Sequence, residues 1–275
     1  MIKRILLFLI LMCFTVNASF VFDSVTDWIS VADNDNLTLP DHTITGGWTI
    51  AGWIKSTDNS GSYYQYFLSV HYNLDPQVRL WINEDSQGDP DEIKFYVSDS
   101  TPDDAGVAAS TSAPISDTSW HHVILEHDGS NITLYVDATS VTSDTATLVN
   151  VVNCSTPWFF GQRSNEATAN TDRNFVGKMA EWAMWERALT STERNQLAGQ
   201  GGETKTKPSG ISTPTWYIAM DNDFTAGSYS SEIGSLTGTE NGDVTFDSAD
   251  HPFTIDAGGG SLDLIIVMHV LNLMR

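Results

Sequence analysis

Basic residues are scarce in this sequence. Thirteen Lys and Arg stand against 35 Asp and Glu, giving 275 residues a formal charge of −22. Nucleic acid and anionic membrane surfaces both need clustered cations, so neither is an expected partner. Cysteine is nearly absent, with only Cys13 and Cys154. Once a leader containing Cys13 is removed, Cys154 has no partner for an internal disulfide, and a packed core must hold the protein together. No apolar run reaches the roughly 20 residues that span a bilayer. Helix signals are also few. One stretch has them all: Thr190 or Ser191 as cap, Glu193 at capping-box distance from Thr190, and Gly199 as stop, predicting a helix over Thr190–Ala198.

Apolar and aromatic residues are plentiful. The chain is 41% hydrophobic, with nine Trp, eight Tyr and twelve Phe, too rich for a disordered acidic tail and enough for a large core. At the start, Lys3 and Arg4 precede the ten-residue run Ile5–Phe14, and Val16 and Ala18 occupy the −3 and −1 positions of a small-residue cleavage site. Residues 1–18 therefore read as a secretory signal peptide cut before Ser19, and the expected location is extracellular. Cleavage removes Lys3 and Arg4 and takes the formal charge from −22 to −24. No membrane insertion is expected afterwards.

Short runs of Val, Ile, Trp, Tyr and Thr alternate with Asp, Asn, Ser and Gly turns. They predict strands at Trp28–Val31, Trp48–Lys55, Tyr66–Val70, Val78–Asn83, Ile93–Ser98, Val107–Ser112, His121–Asp128, Ile132–Asp137, Trp158–Gly161 and Gly177–Trp185. Asp128-Gly129 between two of them is a hairpin signal. Many strands joined by short turns predict an all-β, two-sheet antiparallel sandwich or jelly roll, with one short helix near residue 195.

Four phrases carry a family resemblance. Phe22-Asp23-Ser24-Val25-Thr26-Asp27-Trp28-Ile29 resembles the opening F-D-G-x-D-D-Y-V of laminin-G-like, concanavalin A-like jelly rolls. Trp48-Thr49-Ile50-Ala51-Gly52-Trp53-Ile54-Lys55 is similar to their next strand. Trp120-His121-His122-Val123, His127-Asp128-Gly129-Ser130 and Thr133-Leu134-Tyr135-Val136-Asp137 resemble the W-H-H-V … Y-D-G-S … T-L-Y-V-D-G hairpin. Gly177–Trp182 followed by Trp185-Glu186-Arg187-Ala188-Leu189-Thr190 looks like the phrase that leads into the family's closing helix. The match covers residues 20–201. Two departures stand out: Ala180 replaces an acidic residue, and Ala138 replaces the Gly of the D-G turn. The resemblance implies a jelly roll, and in a family of lectins, adhesins, pentraxin-like modules and glucanases it leaves function to be argued from residues.

Glycosidase chemistry needs two flanking carboxylates. Glu181 and Glu186 have the outer spacing of the glucanase pattern E-x-D-x-x-E, but Ala183 stands in place of its Asp, so no enzyme is expected. His121 and His122 are adjacent on a strand and point to opposite faces. His121 and His127 share a face but lie roughly 20 Å apart, so no shared zinc ion is expected. Oxygen ligands are abundant, and calcium, often bound at a rim site in the resembled family, is the expected cofactor. Its candidate ligands are Asp33, Asp35, Asp89, Asp91 and Glu92, with Asp221 and Asp223 as a further pair. For a sugar, Tyr63, Tyr64, Tyr72, Asn73 and Asp75 form the candidate platform: exposed rings stack on sugar faces while Asn and Asp bind hydroxyls. The plainer alternative is that Tyr66 and Tyr72 simply edge the core.

Residues 202–215 have linker composition. Beyond them, residues 216–275 resemble the preamble that normally precedes the family's first strand, and Phe246-Asp247-Ser248 echoes Phe22-Asp23-Ser24. This segment either completes the sandwich or begins a second one. The expected function is a secreted, non-catalytic module that recognises a glycan or glycosylated surface. A structural or adhesive surface protein of a microbe or virus is the alternative, and a glucanase the third reading.

Overall fold

The computed structural model describes residues 18–23, 26–32, 47–57, 64–70, 77–82, 92–98, 107–115, 117–145, 157–163, 173–220, 228–247 and 249–253. The strands are β1 (Ser19–Phe22), β2 (Trp28–Val31), β3 (Trp48–Ser56), β4 (Gln65–Val70), β5 (Gln77–Ile82), β6 (Glu92–Ser98), β7 (Val107–Pro114) and β8 (His121–His127). They continue with β9 (Asn131–Val136), β10 (Thr139–Thr145), β11 (Trp158–Phe160), β12 (Gly177–Trp185), β13 (Trp216–Ile218), β14 (Ser228–Ser230), β15 (Thr237–Asn241) and β16 (Thr245–Asp247). One helix, α1 (Ser191–Ala198), follows β12.

Among the described residues the strands form two eight-stranded antiparallel sheets. The first runs β10-β9-β8-β3-β12-β1-β16, with β13 also paired to β12; the second runs β14-β15-β2-β11-β4-β5-β6-β7. Their facing sides make the main core. Phe20, Ile50, Leu125, Met179 and Trp182 from the first sheet meet Ile29, Leu68, Leu80, Phe95 and Phe160 from the second. This is the all-β antiparallel sandwich that the strand pattern predicts.

The first sheet is covered on its outer side as well. Ala51, Ile124, Ala183 and Trp185 pack there against Leu189, Leu197 and Tyr217. A strand buried on both faces has no polar alternation to display, which is why β3 and β12 are almost continuously apolar. β6 instead alternates half-buried and buried residues, because its outer face is open.

Local chemistry explains the ends of α1. Thr190 is the N-cap, its hydroxyl accepts from the Glu193 N–H, and Glu193 reaches back to the Thr190 N–H. Gly199 closes the helix in the left-handed conformation. Beneath it, the buried Glu126 carboxylate accepts from the Leu189 N–H at 2.8 Å and from Arg194 at 2.9 Å, so one carboxylate joins β8 to the helix. Arg187 adds a bidentate pair to Glu193, which together with the Thr190 contacts lowers the Glu193 pKa to about 2.

Two strands lie outside those expected from alternation before residue 202, β1 and β10. β1 follows the cleavage motif directly. β10 is an exposed strand rich in Thr and Ser, so it lacks an apolar signal. Asp137 and Ala138, at φ 50° and 61°, make the turn between β9 and β10, and Ala138 holds there a conformation that Gly adopts without a Cβ penalty.

The C-terminal strands pair with both sheets. β16 lies antiparallel to β1 with Phe246 opposite Phe20, β15 pairs with β2, and β13 pairs with the second half of β12. The stretch of linker composition before them is packed too. Pro208 and Pro214 are buried, and Lys205 and Lys207 extend over the outer side of the first sheet. The apolar run Leu262–Met274 and Cys154 lie outside the described residues.

Candidate functional site

The outer face of the second sheet, half-open over β5 and β6 and buried over β4, where Tyr66 is 3% exposed, carries the most distinctive surface chemistry. On β5, alternation sends Val78, Leu80 and Ile82 into the core and leaves Arg79 and Trp81 outside. On β6 it does the same for Lys94 and Tyr96, and the register sets Trp81 opposite Lys94 and Arg79 opposite Tyr96. β4 adds Tyr66 opposite Trp81. A register shift between Tyr66 and Leu68 places Phe67 as the extra residue, so Phe67 and Leu68 both enter the core while Tyr66 keeps the outer side.

The resulting aromatic row is closely spaced. The Tyr66 and Trp81 rings lie 5.6 Å apart at 31°, and Tyr64 stands edge-on to both at 6.4 and 6.2 Å. Cations interleave with the rings. The Arg79 guanidinium is 4.3 Å from the Tyr96 ring and 5.9 Å from Trp81, and Arg173 is 5.9 Å from Tyr64. The Trp81 indole N–H is shielded from water and has no acceptor among the described residues. An enclosed donor beside flat rings is a group that a ligand's oxygen can satisfy.

Of the predicted platform residues, Tyr64 belongs to this row. Tyr63, Tyr72, Asn73 and Asp75 lie outside the described residues. Trp81, Tyr96, Arg79 and Arg173 were not in the predicted platform. Their signal was present: Val78-Arg79-Leu80-Trp81-Ile82 and Ile93-Lys94-Phe95-Tyr96-Val97 alternate cleanly, and each odd-one-out side chain is aromatic or cationic.

Of the calcium candidates, Asp33, Asp35, Asp89, Asp91, Asp221 and Asp223 lie outside the described residues. Glu92 opens β6, next to Asp91, with its Oε2 atom buried and without a hydrogen-bond partner among the described residues. That oxygen is chemically suited to a hard cation. No group of three or more metal-ligating side chains occurs among the described residues.

The histidines separate as the strand geometry requires. His121 bonds Asp137 at 2.9 Å through Nδ1 and Asp117 at 3.1 Å through Nε2; burial opposes its charge, but these two carboxylates outweigh it and raise its pKa. His122 is buried on the other face, its ring 4.9 Å from Trp53, and burial lowers its pKa to about 3. His127 packs beside Trp48 in the core.

The glucanase spacing does not form a carboxylate pair around a cleft. Glu181 sits at the β12 irregularity with φ 59°, and its side chain is fully enclosed by Tyr217, Lys207 at 3.1 Å and His251 at 3.2 Å. Glu186 is exposed beyond the strand end, and Ala183 is sealed under Tyr217 and Leu197. No helix among the described residues is long and apolar enough to cross a membrane.

Two antiparallel sheets packed face to face around one core define a jelly-roll β-sandwich. The chain belongs to the concanavalin A-like lectin/glucanases superfamily, matching its laminin-G-type model over residues 31–193. Among solved structures it resembles a candidate carbohydrate-binding protein from Bacteroides ovatus, with TM-score 0.63 and 18% identity. That match covers 88% of this chain and 62% of the other, so this chain spans less than two thirds of its relative. It also resembles a heptameric SAP-like pentraxin from Limulus polyphemus, with TM-score 0.52 and 14% identity over 82% of this chain and 96% of that one. These identities are evidence of a shared fold. No curated protein matches the chain.

Proposed function

We propose that the protein is a secreted, non-catalytic recognition module that binds carbohydrate on the outer face of its second sheet. The observation that carries this reading is the pair of half-buried rings Tyr64 and Trp81, backed by the buried Tyr66 ring, with Arg79 and Arg173 beside them. Pyranose rings present apolar C–H faces that stack on such a surface, while guanidinium, ammonium and indole N–H groups donate to hydroxyls. Tyr63, Tyr72, Asn73 and Asp75, the other residues of the platform expected from the sequence, belong to the same proposal. Calcium is part of the proposal, held by Glu92 with Asp89 and Asp91 at the rim; the orphaned Glu92 oxygen supports it. Secretion rests on the leader of residues 1–18.

A glycan array, run with and without chelator on wild-type protein and on Trp81→Ala, tests both parts. Expected are glycan signals that Trp81→Ala removes and chelation weakens. Signals indifferent to chelator would remove calcium from the reading. Signals indifferent to Trp81→Ala would move the site elsewhere. Silence across the array would favour a structural or adhesive role, the second reading the fold allows.

A further inference from the structure

A cavity lies on the side of the molecule opposite the aromatic face, where the C-terminal segment crosses the outer side of the first sheet. It has a volume of about 390 Å³, and Lys55, Ser119, Trp120, Lys205, Asp250 and Pro252 are among its walls. That is within the range of small-ligand sites, roughly 300–1,000 Å³.

Its charge is unusual for so acidic a chain. Lys55 and Lys178 are cross-strand neighbours on β3 and β12, an unfavourable pairing of like charges. Asp250 bridges them at 2.7 and 2.6 Å and also accepts from the Trp120 indole at 2.8 Å. Asp247 gives Lys178 a second partner at 2.6 Å. Three lysines and two aspartates therefore meet here, so one lysine is left without an aspartate in contact; the flanking carboxylates Asp117 and Asp137 are both bonded to His121.

That lysine is Lys205. Its ammonium donates to the Pro252 carbonyl at 2.8 Å and lies 4.2 Å from the Trp53 ring centroid, but no carboxylate is within ion-pair reach among the described residues. Half-burial disfavours its charge and lowers its pKa, with distant Asp137 the opposing influence. Asp137 itself is engaged by His121. Lys207, close by, is already paired with Glu181.

We propose that this cavity binds a compact oxyanion, the carboxylate or sulfate of a small polar ligand, with Lys205 as its counter-ion. Thr118 lines the same wall, and its hydroxyl can donate to the anion, while Ser119 beside it is held by the Asp117 carboxylate. The Asp250 charge does not repel it strongly, being taken up by two lysines. The site is independent of the aromatic face on the other sheet.

Calorimetric titration of the full chain with sodium glucuronate, sodium sulfate and glucose tests it. Expected is saturable binding of one or both anions and none of glucose. Tighter glucuronate binding would assign the anion to a sugar acid, and tighter sulfate binding to an inorganic ion. Lys205→Met should weaken the anion at least tenfold, while Lys205→Arg retains it. Thr118→Glu, on an exposed loop residue, should abolish binding without affecting the fold. Trp81→Ala should leave it unchanged. No saturable anion binding by the wild type, or equal binding by Lys205→Met and Thr118→Glu, would overturn the proposal.

Discussion

His122 should make the protein lose stability in mild acid. Its imidazole is buried on the outer side of the first sheet against Trp53, with a folded pKa near 3 against an ordinary value of 6.5, burial being the main cause. The unfolded chain therefore binds a proton that the folded chain refuses at every pH between those values, so stability falls as pH drops below about 6.5. Each pH unit in that window is worth about 1.4 kcal/mol, so acidification from pH 7 to pH 5 costs about 2 kcal/mol from this residue alone. His121 is present in both proteins, so its contribution cancels in the comparison. Its folded pKa is raised, so its contribution is fully present below 6.5 and is lost only as pH rises through its folded value. Asp250 and Glu193, both held near 2, lose their contributions only as pH falls below the ordinary carboxylate range. His122→Phe keeps a ring beside Trp53, removes the titration and leaves no partner stranded, because the imidazole Nδ1 has none among the described residues. Urea unfolding of both proteins at pH 7, 6 and 5 reads the difference. The stability of the variant relative to wild type should rise by about 2 kcal/mol between pH 7 and pH 5, a midpoint shift of roughly 1 M at ordinary urea dependence. A relative stability flat to within about 0.5 kcal/mol would refute a buried, proton-refusing His122.

The fold was legible because burial writes itself into periodicity. Strands β3 and β12 are almost continuously apolar where both faces are covered, β6 alternates where one is half-open, and the capping box at Thr190 and Glu193 marks the helix to within a residue. β10 was illegible for the same reason: it is exposed except at Val141 and Thr142, and a single half-buried Val makes no apolar face to reveal. The candidate site was half legible. Tyr64 was singled out from its polar, aromatic loop. Trp81, Tyr96 and Arg79 sit inside strands, where an aromatic residue reads as core until its parity is checked against Val78, Leu80 and Ile82. What no parity argument supplies is register. That Arg79 faces Tyr96 and Trp81 faces Tyr66 depends on how β4, β5 and β6 align, and that alignment is set by long-range packing. The enclosure of Glu181 by Lys207 and His251 was likewise invisible, because its partners lie 26 and 70 residues further along the chain.

Three further perturbations follow from backbone geometry and from the C-terminal strands. Ala138→Gly should stabilise the protein by about 1 kcal/mol, raising Tm by roughly 2–4 °C, since Ala138 holds φ 61° in the β9–β10 turn; an unchanged or lower Tm would contradict that backbone. Gly52→Ala should destabilise by about 2 kcal/mol or more, because its Cβ would come 2.2 Å from the Trp182 ring where β12 bulges across β3; a wild-type unfolding midpoint would show that the ring can move away. Deleting residues 202–275 should give an insoluble or much less stable product. The deletion removes β16 from β1, β15 from β2 and β13 from β12, leaving three rows of backbone N–H and C=O groups without their partners. It also takes Trp216, Tyr229 and Leu236 from the core, each worth about 1.5–3 kcal/mol when fully buried, and uncovers Trp158, Phe20 and Ile29 behind them. A loss on that scale approaches the whole stability of an ordinary domain, about 5–15 kcal/mol, and the uncovered β1 and β2 edges offer templates for aggregation. Soluble expression with an unchanged Tm would mean that these strands contribute no stability to the sandwich.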